Sequence, residues 1–141
     1  MRDFVQSEKN VKRRLEDKEK SIRDNELDIL RVVYYVNIQY KKFKSALRAL
    51  SVLLHFDPDD ELALLATVYC YYSLKRHRKA ERLLAKIEPK LKTDKAKDMF
   101  DYLNALVLTE IGNRNGARQI YQRIGTNLRT DVVTQEYEQL R

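Results

Sequence analysis

Three segments of this chain repeat one another, and that repetition constrains the fold more than any other feature. They read Phe43-Lys-Ser-Ala46-Leu-Arg-Ala-Leu50, Arg78-Lys-Ala80-Glu-Arg-Leu-Leu84 and Asn115-Gly-Ala117-Arg-Gln-Ile-Tyr121. Four residues after each alanine stands a large residue (Leu50, Leu84, Tyr121), and three further on another (Leu53, Ile87, Ile124). At helical period these positions share one face. A small residue there lets an antiparallel helix approach closely, and the large ones fill the groove between the two. The repeating unit is therefore a helical hairpin. Only 3 Gly and 2 Pro occur in 141 residues, too few turn formers for a many-stranded fold, and no stretch alternates at period two. The sequence predicts an all-α chain.

Along the chain, residues 1–24 form a charged opening segment. Phe4, Val11, Leu15 and Ile22 recur at gaps of seven, four and seven, a thin stripe on a helix. Such a helix has three options: docking on the rest of the chain, pairing with a second copy as a homodimer, or ordering on binding. From Asn25 the pattern thickens: Leu27, Leu30, Val33, Tyr34, Ile38 and Tyr40 follow helical spacing, then Ala46, Leu47, Leu50, Leu53 and Leu54 after the basic break Lys41-Lys42. Asp57-Pro58-Asp59-Asp60 separates this pair from a third helix, expected over Asp60–Leu74, because proline disfavours helix before it and acidic residues suit a helix start. A fourth is expected over Arg78–Ile87, ending before Pro89, and Lys90–Asp94 reads as a linker. A fifth is expected over Lys95–Ile111, with Gly112 as terminator, and a sixth over Arg114–Ile124. Thr130 is placed to cap a last helix running to Arg141.

Ala46 and Ala80 are 34 residues apart, the period of tetratricopeptide repeats; Ala80 and Ala117 are 37 apart. The first unit also closes on Phe56-Asp57-Pro58, as repeats of that family do. Over residues 27–126 the chain resembles the tetratricopeptide repeat family. It departs where each first helix should carry a small residue: Tyr34 and Val68 stand there, and only Ala105 is small. The resemblance implies three hairpins stacked in a short right-handed superhelix with flanking N- and C-terminal helices. A charged N-terminal helix over residues 1–24 would precede a tetratricopeptide-like domain over residues 25–141, closed by a C-terminal capping helix. In size, repeat count and alanine-centred motifs the chain is similar to the small three-repeat chaperones of bacterial type III secretion.

In that family the first helices line a concave groove, and partner-facing residues recur at fixed offsets. Carried over, these positions hold Asp28, Arg31, Tyr35 and Ile38 in the first unit, Leu62, Leu65, Tyr69 and Tyr72 in the second, and Met99, Tyr102, Leu106 and Thr109 in the third. The set is apolar and rich in tyrosine, and it lacks the basic cluster that grips a terminal carboxylate. The resemblance thus implies a chaperone or assembly adaptor holding an apolar segment of another protein. The sequence leaves open whether a partner or the chain's own first or last helix covers these residues.

The net charge of +7 raises a second reading, a basic repeat protein for RNA or an anionic surface. The turns within the units carry Lys41, Lys42 and Lys44, then Lys75-Arg76-His77-Arg78-Lys79, then Arg114 and Arg118. Solvated turns explain the same residues, since 28 basic side chains are interspersed with 21 acidic ones. His55, His77 and Cys70 have no metal-ligand spacing, and the glycines form no phosphate-cradling loop, so no metal, cofactor or enzymatic activity is expected. One cysteine fits a reducing compartment, and Cys70 sits in an apolar stretch where a core role suits it. The charged start offers no apolar core of a secretory signal, and Leu62–Leu74 is too short for a membrane span. A cytoplasmic protein is expected.

Overall fold

The computed structural model describes residues 2–125. All regular structure there is helical: α1 (Arg2–Gln39), α2 (Phe43–Phe56), α3 (Glu61–Ser73), α4 (His77–Ile87), a 3-10 turn (Glu88–Lys90), α5 (Asp94–Ile111) and α6 (114–125). The six helices pack as sequential hairpins, as the repeated segments required. The expected last helix, from Thr130 to Arg141, lies outside the described residues. The described residues divide into two compact units, with the boundary between Phe56 and Asp57.

In the first unit, α1 runs unbroken for 38 residues. The opening segment and the first helix of the first hairpin are one helix, so residue 24 is not a helix end. Nothing before Pro58 is proline or glycine, and Glu8/Lys12, Glu16/Lys20 and Glu19/Arg23 stand four residues apart with the acid first, an arrangement that supports a helix surface. The C-terminal part of α1 turns Leu27, Leu30, Tyr34 and Ile38 toward α2, whose Ala46, Ala49, Leu50 and Leu53 are buried. Val33 and Tyr40 were expected in this pattern but are exposed. Val33 adjoins the α2-facing stripe without belonging to it, and Tyr40 lies in the turn. The Arg23 guanidinium lies 5.9 Å from the centroid of the Phe56 ring, a cation–π contact between α1 and the end of α2.

In the second unit, the Asp60 side chain caps α3 by accepting from the Ala63 amide at 3.1 Å. Ala63, Leu64, Leu65, Val68 and Cys70 are all buried. The outward face of α4 is charged, and the helix buries Ala80, Leu84 and Ile87. Pro89 falls in the 3-10 turn just past the end of α4, and Leu91 of the following linker is buried rather than solvated. Each fully buried leucine contributes roughly 1.5–3 kcal/mol of transfer free energy.

The three hairpin turns share one backbone geometry. Lys41, Lys75 and Gly112 take left-handed conformations, with φ of 59°, 64° and 97°. At each turn the next amide donates to the carbonyl five residues before it: Lys42 to Asn37 at 2.7 Å, Arg76 to Tyr71 at 2.8 Å and Asn113 to Leu108 at 2.9 Å. This is a Schellman closure. Each left-handed residue stands five before a repeat alanine, whose amide bonds to the carbonyl four residues back at 3.0, 3.1 and 3.2 Å for Ala46, Ala80 and Ala117. The three alanines are buried. The longer interval before the third hairpin is thus taken up by α5, which has 18 residues where α3 has 13, and the turn itself does not change.

Candidate functional site

The residues expected to face a partner fall in both units, and each set is described within its own. In the first unit Tyr35 is exposed and Ile38 half-buried. Asp28 and Arg31 pair with each other at 2.7 Å, which removes Arg31 as an isolated cation. In the second unit the helical period of α3 leaves one strip uncovered. Leu62 is 51% exposed and Tyr69 38%, seven residues apart, with Tyr72 half-buried beside them. On α5, Met99 is 37% and Tyr102 53% exposed, with Leu106 half-buried one turn on. Leu65 departs from this pattern. It is fully buried and is a core residue of the second unit, unavailable to a partner while α3 is packed. Offset counting put it on the strip, but a helix apolar on every side gives no sequence signal to separate the strip from the core.

The strips of α3 and α5 converge at Tyr72. Burial raises its phenol pKa, as do the nearby Glu110 carboxylate and the Tyr121, Tyr102 and Tyr69 hydroxyls. Its ring also lies 5.6 Å from the ring of His77, tilted at 56°, and His77 Nε2 is 3.9 Å from Glu110 Oε2. Tyr121 belongs to this cluster although its place after Ala117 suggested a core filler; it stays 39% exposed. A phenol is satisfied with its ring half-covered and its hydroxyl in water, which leucine at the same place would not be. Thr109, at the end of the third set, spends its hydroxyl on the Ala105 carbonyl at 2.8 Å. The exposed side chains of this surface are therefore aliphatic groups and phenols.

Residues 37–99 match the tetratricopeptide repeat family. The match begins in the last turn of α1 and ends in the first turns of α5, so it contains the Ala46 and Ala80 segments and their 34-residue interval. No curated protein and no solved structure gives a significant match to the chain. Tetratricopeptide repeats mediate protein–protein binding. The tetratricopeptide region includes Leu62, Tyr69, Tyr72 and Met99; Tyr102 and Leu106 follow it directly on the same helix.

The cations of the turns are partly engaged. Arg78 pairs with Glu81 at 3.4 Å and the Lys79 ammonium lies 5.9 Å from the Tyr71 ring centroid; away from the turns, Arg123 near the end of α6 pairs with Asp101 of α5 at 3.0 Å. The α3–α4 turn and the end of α5 line one shallow depression that mixes Lys75, Arg76 and Lys79 with Glu110. Among the described residues no three His, Cys, Asp or Glu side chains come together as metal ligands would, and no helix is long and apolar enough to cross a membrane. Cys70 is buried, and burial pushes its thiol up to about 11, so it is protonated and a poor nucleophile at neutral pH.

Proposed function

We propose that this chain is a non-enzymatic adaptor or chaperone whose tetratricopeptide hairpins hold an apolar segment of another protein. The observation that carries this reading is the exposed strip formed by Leu62 and Tyr69 of α3 with Met99 and Tyr102 of α5. Water-exposed aromatic and aliphatic side chains concentrated on two neighbouring helices suit the burial of a partner's apolar side chains. Tyrosine adds a hydroxyl that tolerates either a wet or a covered state. The mechanism is masking: the segment stays covered, and so protected from aggregation, until the partner reaches its destination. The residues in this role are Tyr69, Tyr72, Tyr102, Leu62, Met99 and Leu106 of the second unit; Tyr35 and Ile38 are the corresponding residues of the first unit, taken by itself. Similarity in size and repeat count to the type III secretion chaperones makes an export substrate one candidate cargo.

The test starts by purifying the chain from its own host and identifying any stoichiometric partner. A peptide covering that partner's most apolar segment is then titrated against the intact protein and against the double variant Tyr69→Ala/Tyr102→Ala. The expected result is a loss of affinity of at least about tenfold with unchanged helicity. Equal affinities would remove the strip from the binding role. The RNA reading predicts retardation of RNA that weakens steeply with salt. The engagement of Arg78 by Glu81 and of Lys79 by the Tyr71 ring reduces the free charge of the second turn.

A further inference from the structure

The outer side of α1 carries a seam that the hairpin does not use. Leu15, Ile22, Ile29 and Val36 recur at intervals of seven, and Phe4, Val11 and Val32 fall four residues before the matching register, giving alternate gaps of four and three. Taking the first series as heptad a and the second as d, the seam spans five heptads, a length that marks a coiled coil rather than a globular helix face. Every one of these seven side chains is exposed, from 44% at Val36 to 69% at Phe4. The residues of α1 that face α2 lie at b, c and f, on the far side. Phe4, Ser7, Glu8, Val11, Lys12 and Leu15 line a shallow depression made of two successive holes of the kind that receive a knob from a facing helix.

We infer that α1 is the dimerisation helix of this protein, and that two copies pair along it antiparallel, with the two-fold axis at the level of residue 20. The polar residues of the seam decide the orientation. Glu8, Lys18 and Asn25 interrupt it. A parallel pair would set Glu8 against Glu8 and Lys18 against Lys18 in the interface, and like charges there are costly. The antiparallel pair sets Glu8 opposite Val32, Lys18 opposite Ile22 and Asn25 opposite Leu15 of the second copy, and closes both ends with Phe4 against Val36. Flanking charges agree. The basic run around Lys12 and Arg14 meets the acidic run around Glu26 and Asp28 of the second copy, and each of the pairs Lys12–Glu26 and Arg14–Asp28 occurs twice by symmetry. Glu19 facing its own copy at the axis is the one repulsive contact, and Lys18 beside it offsets that repulsion. This pairing does not rest on the tyrosine strip of the second unit.

The experiment is sedimentation equilibrium on the full chain and on Lys12→Glu, Glu26→Lys and the double exchange Lys12→Glu/Glu26→Lys. These residues are exposed in the single chain, so the fold survives, and circular dichroism checks it. The wild type should be a dimer. Each single variant should raise the dimer Kd by about tenfold, and the double exchange should restore it. A wild type that stays monomeric at high concentration overturns the proposal. So does a double exchange no tighter than either single variant, because in a parallel pair Lys12 and Glu26 never meet. Ile22→Asp/Ile29→Asp should yield a folded monomer; an unchanged dimer in that variant would place the interface elsewhere.

Discussion

The Thr93 hydroxyl donates to Glu61 Oε2 at 2.7 Å across 32 residues of sequence, while the Lys92 amide donates to Glu61 Oε1 at 2.6 Å. One carboxylate in the first turn of α3 thus holds the linker that leads into α5. Thr93 in turn caps α5, accepting from the Ala96 amide at 3.2 Å. These bonds, the Thr93 hydroxyl first, pull the Glu61 carboxyl below its ordinary 4.5. A lowered folded-state value means that the contribution is complete above pH 4.5 and disappears as pH falls through the lower value. Urea midpoints of the wild type should therefore fall more steeply than those of Glu61→Gln between neutral pH and about pH 3, and the two should converge at the acid end. Thr93→Val should cost about 1 kcal/mol through the lost cap, and the Lys92 amide should exchange faster in both variants.

The turn geometry predicts opposite signs for two kinds of substitution. Lys41 and Lys75 occupy left-handed positions where a Cβ is unfavourable. Replacing either with glycine should raise stability by about 1 kcal/mol, seen as a shift of the urea midpoint at constant slope. Gly112→Ala should lower it by about 1 kcal/mol. That cost is purely conformational, because nothing lies within 4 Å of the added methyl.

Leu65 and Tyr69 occupy the same helix four residues apart yet should respond differently. Leu65→Ala opens a cavity in a fully buried site and should cost about 3 kcal/mol of folding stability. Tyr69→Ala should change stability by less than about 1 kcal/mol and act on partner affinity instead. Thermal melts and peptide titration of both variants check this.

The repeat alanines leave no room for growth. Ala80 is fully buried at the α3–α4 contact. Ala80→Leu should destabilise by about 1–3 kcal/mol, with loss of near-ultraviolet signal from the tyrosines before loss of helicity.

Helix faces and hairpin units were legible in the sequence because both follow from local spacing. The small-large-large signature around Ala46, Ala80 and Ala117 dictates which side of each second helix is buried, and Pro58 and Gly112 act on the backbone beside them. The strip on α3 was only partly legible. Leu62, Tyr69 and Tyr72, named by offset, are exposed or half-buried, but an apolar residue at an offset position looks the same whether it ends in the core, as Leu65 does, or at the surface. Tertiary packing alone decided that, since burial depends on which neighbouring helix arrives. The same holds for Tyr121, left at the surface beside Tyr72, and for Glu61 and Thr93, which no local pattern connects. The continuity of α1 follows from the lack of any breaker before Pro58. What its outer stripe does depends on α2 having taken the opposite face, and that assignment required the folded hairpin.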